Sequence, residues 1–424
     1  MASGEILKQS EMFVKTQRTS PRDESSWNAR LLLQAGYIDK VAAGVYTYLP
    51  LGLRVLRKIQ QIVRDEMLGL GAQEILMPAL HPKELWSATG RWQDPGPTVM
   101  FQFKGHGHQE FGLGWTHEEI VTPLAKRHLG SYRDLPFAVF QIQDKFRNEP
   151  RAKSGLLRGR EFSMKDLYSF HADRDDLEQY YQRTIGAYQR VFERCGLQAV
   201  LTEASGGAFA KYSHEFQVIT PYGEDVIFAC DACHYAQNRE ITQYHAGDHC
   251  PQCNGAFREE KAIETGNIFK LGTRFSEPFG LTYLDRAGKP QPVVMGCYGI
   301  GPSRVMGAVV EVHHDDHGIR WPDGLAPVTV HLVLLDPKVQ AVRARAEAAA
   351  AALTDAGASV LYDDREVAST GEKFNDADLI GLPWRLVVSR RTGEGVEWKR
   401  RSESESHRGH LTAFVKRLPE GSTR

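Results

Sequence analysis

Phe146–Phe162, FRNEPRAKSGLLRGREF, packs three arginines and two glutamates around a short basic loop between apolar runs. It opens on Arg147, Asn148 and Glu149 and closes on Arg158, Arg160, Glu161 and Phe162. Between these ends lies a loop carrying Arg151, Lys153, Ser154 and Gly155. Apolar runs flank it, PFAVFQIQ before and FSMKDLYSF after, so the pattern reads as strand, basic loop, strand. Arginine forks at fixed positions bind phosphate oxygens bidentately. Beside them a carboxylate can accept from an exocyclic amine, and a Phe face can cover a purine. The simpler reading of this stretch alone is a charged surface hairpin, so its surroundings have to decide.

Upstream, Leu31–Gly36 reads as a helix end stopped at glycine and Val45–Leu49 as a strand. Leu53, Leu56, Ile59, Val63, Met67 and Leu70 recur at three- and four-residue steps, which predicts an amphipathic helix over 53–70 closed by Gly69 and Gly71. The strand EILMPAL follows with Pro78 inside it. Proline cannot donate to a ladder, so this strand belongs at an edge or an interface. Glu118–His128 reads as a helix with Thr116 or His117 at its N-cap. Downstream, a helix is expected over Asp173–Cys195, stopped at Gly196, then strands over 198–228 and from NIFKLG to PVVMGCYGIG. A helix over 301–313 and a proline- and glycine-punctuated linker, IRWPDGLAP at 319–327, complete the first part.

The last hundred residues change pattern. Strands at Val328–Leu335, Ser359–Tyr362 and Trp384–Ser389 alternate with helices at Val339–Leu353 and Glu372–Ile380, which argues for a small α/β domain with a largely parallel sheet. Its late cations, Arg385 to Arg417, offer an RNA-contact face, although acidic residues interrupt the run.

The totals exclude several classes. The chain has 424 residues, 42% apolar and 25% charged, with a formal net charge of −1, so nucleic-acid contacts must come from local patches. The N-terminal stretch lacks an apolar core of signal-peptide length, and no apolar run approaches a membrane span. Four of the six cysteines, Cys230, Cys233, Cys250 and Cys253, form C-x2-C-x16-C-x2-C. Two thiolate knuckles at that spacing predict a closed, structural zinc site on a zinc-ribbon-like insert over 226–260. A reducing cytoplasm and no membrane fit this cysteine usage. His234, His245 and His249 read as bystanders, and His313–His317 reads as a solvated cap rather than a metal site. GCYGIGPSR, Gly296–Arg304, matches a dinucleotide fingerprint only in part. A better reading is that its glycines let a ligand lie close to the strand while Arg304 points a cation at a polyphosphate tail.

The helix ending in a Pro78 strand, then FRNE–loop–RGREF, then GCYGIGPSR, resembles in order the three signature motifs of class II aminoacyl-tRNA synthetases. GWTHEE at 114–119, REFSMKDLYSFH at 160–171, SHEFQV at 213–218 and NIFKLGTRFSE narrow the resemblance to prolyl-tRNA synthetases of the bacterial kind, over nearly the whole chain. The resemblance implies an α+β catalytic domain built on an antiparallel sheet over 1–325 and a C-terminal α/β anticodon-binding domain over 326–424. It implies an enzyme, a homodimer, that uses ATP with Mg2+ to join L-proline to tRNA(Pro) through prolyl-adenylate, releasing AMP and pyrophosphate.

The same resemblance distributes the residues. Arg147, Glu149, Arg158, Phe162, Gln217 and Arg304 fall at ATP, with Arg147 and Arg304 the catalytic cations. Thr116, Glu118, Arg147, His214 and Cys297 fall at proline. Arg151 and Lys153 reach the tRNA acceptor end, and Asp364, Arg365, Lys373 and Phe374 fall where the anticodon is read. Many bacterial members carry a large editing insertion. Here Val218 and Gly296 are too close in sequence to hold one, and the C-x-x-C units stand in its place. The expectation is that alanyl-tRNA is not cleared in cis and is left to a separate deacylase. Two other readings, a regulatory RNA-binding paralogue and an activator of a carrier protein, are opposed by the retained motifs and by the appended α/β domain.

Overall fold

The computed structural model describes residues 4–19 and 24–418. Two compact units divide the chain: residues 41–46 with 59–308, and residues 1–40, 47–58 and 309–424. The second unit therefore gathers the first forty residues and 309–325 with the C-terminal hundred, and a line drawn at 325/326 does not separate the two.

The first unit is built on a nine-stranded sheet. Toward one edge lies the hairpin expected from FRNE–RGREF: Phe137–Phe146 pairs antiparallel with Glu161–His171, from Phe137 opposite Phe170 to Phe146 opposite Glu161. Val294–Ile300, which holds the GCYG motif, pairs with the other side of 161–171, and Phe257–Gly272 pairs with Val294–Ile300. The second and third motif-bearing stretches are thus brought together on one antiparallel surface. Beyond Phe257–Gly272, the strands 212–219, 199–205, 236–238 and 225–230 close a ring of pairings back onto it.

The helix Arg174–Arg194 covers one face of this sheet. Asp173 caps it through a bond from the Asp176 amide, and Tyr181, Tyr188, Val191 and Phe192 are among the side chains it buries. Tyr188 and Phe192 pack their rings against Phe216 of the 212–219 strand. The opposite face is left for the site.

The expected EILMPAL strand is broken. Only Gln73–Glu74 joins the sheet, parallel to 139–140 and at its edge. After Pro78 the chain enters a separate three-stranded sheet at Leu80–Pro82. Pro78 cannot donate to a ladder, but its carbonyl accepts from His81 Nε2 at 2.9 Å and lies 3.0 Å from His117 Nε2. Helix 118–128 begins as expected with His117 at its N-cap, but no side chain caps it. The Thr116 hydroxyl donates to Glu118 instead.

In the second unit, Ile6–Lys8, Val360–Asp363, Val330–Leu334 and Trp384–Val388 run parallel, and Val396–Arg400 and His407–Gly409 add antiparallel. Helix Gln340–Asp355 buries Val342, Ala346, Ala349 and Leu353 in the same core as Val330, Leu332, Leu386 and Trp398. The parallel order was legible in the sequence, whereas the N-terminal edge strand was not. The 319–327 stretch is no solvated linker: Ile319, Trp321, Leu325 and Ala326 are buried. The Trp321 indole donates to the Tyr37 hydroxyl at 2.8 Å. Its prolines and glycine turn the chain, while its apolar residues pack. Among the described residues, no helix is long and apolar enough to cross a membrane.

Candidate active site

A cavity of about 370 Å3 opens on the sheet face away from helix 174–194. Thr116, Arg147, Glu149, Arg158, Phe162, Glu264, Asn267, Gly299 and Arg304 are among its lining residues, as are Phe209, Phe269 and Cys297. It therefore draws on the second and third motifs.

One end suits a nucleotide. The Arg147 guanidinium lies 5.2 Å from the centre of the Phe162 ring. Arg147 Nε is enclosed with no hydrogen-bond partner, which leaves a donor for a ligand anion. Arg158 holds Glu149 at 3.1 Å, and the Arg151 amide donates to the same carboxylate at 3.2 Å. The whole 147–160 loop is pinned at its far end. The Gly44 carbonyl accepts from the Arg160 amide at 2.7 Å, and a Cβ on Gly44, at φ +75°, would lie 2.7 Å from Ala152 Cβ. Arg304, in the first turn of helix Pro302–Val312, donates to Glu264 at 2.6 Å and to the Leu157 carbonyl at 2.8 Å. A Cβ on Gly299 would meet nothing closer than 3.8 Å, so glycine keeps the strand surface open to a ligand.

The other end suits a small cationic amine. Glu118 is fully buried and accepts from the Thr116 hydroxyl at 2.6 Å, the Cys297 thiol at 3.2 Å and Arg91 Nη1 at 3.2 Å. Burial, and then Glu118 itself, push the Cys297 thiol well up, so it stays a neutral donor. Phe209 and Phe269, with ring centres 4.7 Å apart, form an apolar wall of the same cavity. Behind it, Asp166 takes Lys145 at 2.8 Å, Gln141 at 3.0 Å and the Tyr168 hydroxyl at 3.1 Å.

Two sequence-predicted residues fall elsewhere. His214 lies on the other face of the sheet, against Tyr181, whose hydroxyl is 2.8 Å from His214 Nδ1. The strand alternates, so Glu215 and Gln217 take the opposite face. Gln217 is buried beside the cavity and donates to Glu215 at 2.8 Å and to the lining carboxylate Asp225 at 3.1 Å. It holds a wall residue rather than forming the wall.

Sequence reasoning missed Glu264, Asn267, Asp225, Phe209 and Arg91. Glu264 stands beside a bulge: Phe216 pairs with Gly266 and Gln217 with Glu264, leaving Thr265 extra. An acid and an amide flanking a glycine, in the strand paired with GCYGIG, are the signal that could have found Glu264 and Asn267.

In the C-terminal unit, Arg365 is held by Asp363 at 2.7 Å and by Asp376 at 2.7 Å. Asp364 accepts from the Ser10 hydroxyl at 2.7 Å. The Phe374 ring lies 4.7 Å from the Arg385 guanidinium. Lys373 is buried and donates to the Leu334 and Asp363 carbonyls, so it supports Asp363 from inside. In the other unit, the sulfurs of Cys230, Cys233, Cys250 and Cys253 lie within 4.8 Å of one another. Among the described residues this is the one such cluster. Asp315, from the His-rich run, is committed to Arg401 by two bonds of 2.6 Å.

The class II tRNA synthetase core domain family (G, H, P, S and T) matches residues 101–313, and an anticodon binding domain family matches residues 329–421. A proline–tRNA ligase of Anaeromyxobacter sp. (strain Fw109-5) is 34% identical over 570 aligned positions, covering 98% of this chain and 99% of that one. One from Exiguobacterium sibiricum is 35% identical, covering 98% and 100%. The fold is similar to Giardia lamblia prolyl-tRNA synthetase in complex with prolyl-adenylate, with a TM-score of 0.77 at 20% identity over 93% of this chain and 77% of that one. It is also similar to the Cryptosporidium parvum enzyme complexed with L-proline and AMP, with a TM-score of 0.74 at 17% identity over 92% and 73%. By its matched core, its anticodon domain and these full-length relatives, the chain belongs to the proline–tRNA ligases, enzymes of the class II aminoacyl-tRNA synthetases.

Proposed function

We propose that this chain activates L-proline with ATP and transfers it to tRNA(Pro) in two steps. The observation that carries the reading is one cavity with a cationic, Phe-faced end and, at the other end, Thr116 and Cys297 backed by the buried Glu118 carboxylate. The proline carboxylate attacks the α-phosphate, forming the acyl–phosphate bond and releasing pyrophosphate. The terminal tRNA hydroxyl then attacks the adenylate carbonyl and releases AMP. Arg147 binds the α-phosphate and the proline carboxylate, and Arg304 binds the γ-phosphate. Phe162 covers the adenine while Glu149, held by Arg158, accepts from its amine. Glu118, with Thr116 and Cys297, takes the ring nitrogen. No side chain forms a covalent intermediate, so catalysis is positioning and charge stabilisation.

The lining carboxylates Glu264, Asp225 and Glu224 are the oxygen donors that suit magnesium. Magnesium, when bound, neutralises charge on the polyphosphate. The four clustered thiols fit a structural zinc, because sulfurs of one tetrahedral site lie close together and leave no open position. The domain division at 325/326 is kept as a functional one, with catalysis before it, the 226–260 insert included, and anticodon reading after it. Arg151 and Lys153 contact the acceptor end, and Asp364, Arg365 and Phe374 the anticodon, with Lys373 supporting them. We place the enzyme in the cytoplasm as a homodimer.

Editing in cis is absent in this proposal. Alignment with the Anaeromyxobacter ligase spans 570 positions against 424 residues here, a surplus on the scale of a domain. A proline pocket rejects a smaller side chain by only ~1–3 kcal/mol per missing methylene, so alanine is mischarged. Proline-dependent ATP–pyrophosphate exchange tests activation, and charging of tRNA(Pro) tests transfer. No exchange with proline overturns the reading. Release of alanine from alanyl-tRNA(Pro) by the purified enzyme overturns the editing claim.

A further inference from the structure

Arg91 lies in the turn after the short helix Lys83–Ala88 and does not line the cavity. It is 3% exposed, and one nitrogen, Nη1, meets both Glu118 Oε2 at 3.2 Å and Glu119 Oε1 at 3.1 Å. Its Nε and Nη2 have no hydrogen-bond partner and are buried. Four rings surround the guanidinium: Trp115 at 4.3 Å, Phe209 at 5.1 Å, Phe275 at 5.2 Å and Trp86 at 5.3 Å. Such a cage attracts a desolvated cation through the ring faces. Phe209 belongs both to this cage and to the cavity wall.

The geometry points to Arg91 as a positioning residue for amino-acid recognition, sharing one positive charge between Glu118 and Glu119 and fixing Phe209, so that the pocket keeps the negative character and shape that take a cationic secondary amine. This rests on the reading of Glu118 as the amine partner. One cation facing two buried carboxylates neutralises neither completely, and an incoming ammonium supplies the missing charge. Glu119 is the second anchor. It also accepts from the Thr89 hydroxyl at 2.8 Å, and burial, opposed by Arg91, raises it to about 7. A lysine cannot replace Arg91 here, because a compact ammonium lacks the flat face that the rings enclose.

The test measures proline- and alanine-dependent pyrophosphate exchange, with the ATP KM as internal control, for wild type, Arg91→Lys, Arg91→Gln and Glu119→Gln. Truncating one partner of a buried, hydrogen-bonded charge pair predicts a proline KM at least ~30-fold higher in Arg91→Gln. The ATP KM should change less than ~3-fold, and the proline-over-alanine preference should fall by ~10-fold or more as Phe209 loosens. Arg91→Lys should recover little of either. Glu119→Gln removes a buried charge at nearly constant shape and leaves Arg91 to Glu118 alone. Its proline KM should rise ~5-fold or more at an unchanged ATP KM. This variant decides the matter if the Arg91 variants do not fold. Absence of exchange in wild type would sink the functional reading itself. Wild-type exchange with a proline KM and preference unmoved in Glu119→Gln and in any folded Arg91 variant would overturn the role of Arg91 alone.

Discussion

Two sets of buried charge, one in each unit, are completed to different degrees. In the cavity, charge is left incomplete: Arg147 Nε has no partner, and Arg91 alone faces Glu118 and Glu119. Around Asp363, in the C-terminal unit, it is saturated. Asp363 takes Arg365 at 2.7 Å and Lys373 at 3.5 Å, and Lys373 donates further to the Leu334 carbonyl at 2.7 Å. Buried polar groups are normally satisfied within the protein. Where they are not, a ligand can finish the set, and where they are, they specify the core. The incomplete set belongs to chemistry and the complete one to architecture.

Arg147→Ala should have the largest effect. Losing one preorganised cation at the developing charge should cut proline-dependent exchange by about 10²–10³-fold. The thermal midpoint should hold, since the native state makes little use of that donor. Exchange within tenfold of wild type, or a fall in midpoint matching the loss of rate, would contradict the assignment. The mirror experiment is Asp363→Ala. It leaves Arg365 and Lys373 without their shared anion and should cost about 3–5 kcal/mol in denaturant unfolding of the C-terminal unit. The damage should appear in stability and in tRNA charging before it appears in exchange. A neutral result would mean that Asp363 is not what holds this core.

The same contrast shows what could be read beforehand. Arg147, Glu149, Phe162 and Arg304, which line the cavity, were singled out by the order of their motifs along the chain, since the hairpin alone reads as a surface feature. Arg91 and Phe209 were not, because their partners lie far off in sequence and neither has a periodicity to betray it. His214 came from the resemblance, which does not say which face of the strand meets the ligand; packing against Tyr181 of helix 174–194 sets it on the side away from the cavity. The edge strand Ile6–Lys8 escaped notice for a related reason. Three residues carry too short a pattern, and they find a ladder only because Val360–Asp363 offers a free edge far along the chain.

Acid should separate the two units by a smaller amount. Burial, before any other influence, lowers His81 to about 4 and His117 to about 3 in the cavity unit, and His331 to about 4 in the C-terminal unit. Each is neutral when folded and takes a proton near 6.5 when unfolded. Their contribution is therefore intact above about 6.5 and is lost as pH falls from there toward 4 and 3, by roughly 2–3 kcal/mol per histidine at pH 4. The cavity unit carries two of the three, so its amide hydrogens should lose protection first between pH 6.5 and 4. Equal loss in both units would show that these histidines do not set the acid limit.

The smallest effect should come from the exposed cations of the 147–160 loop. Lys153 is 60% exposed and lies 3.5 Å from Glu224, a pair too solvated to matter for stability. Arg151 uses its backbone amide, not its side chain, to hold Glu149. Both side chains are thus free of structural duty while their backbone shapes the nucleotide end. Arg151→Ala and Lys153→Ala should each raise the tRNA KM by a few-fold and lower the slope of log affinity against log salt by about 0.7–0.9, the signature of one lost phosphate contact. Exchange, which needs no tRNA, should move far less than charging, and the thermal midpoint should not follow either. If the salt slope is unchanged in both variants, these two side chains make no phosphate contact, and the proposed reach of the loop to the acceptor end is overturned.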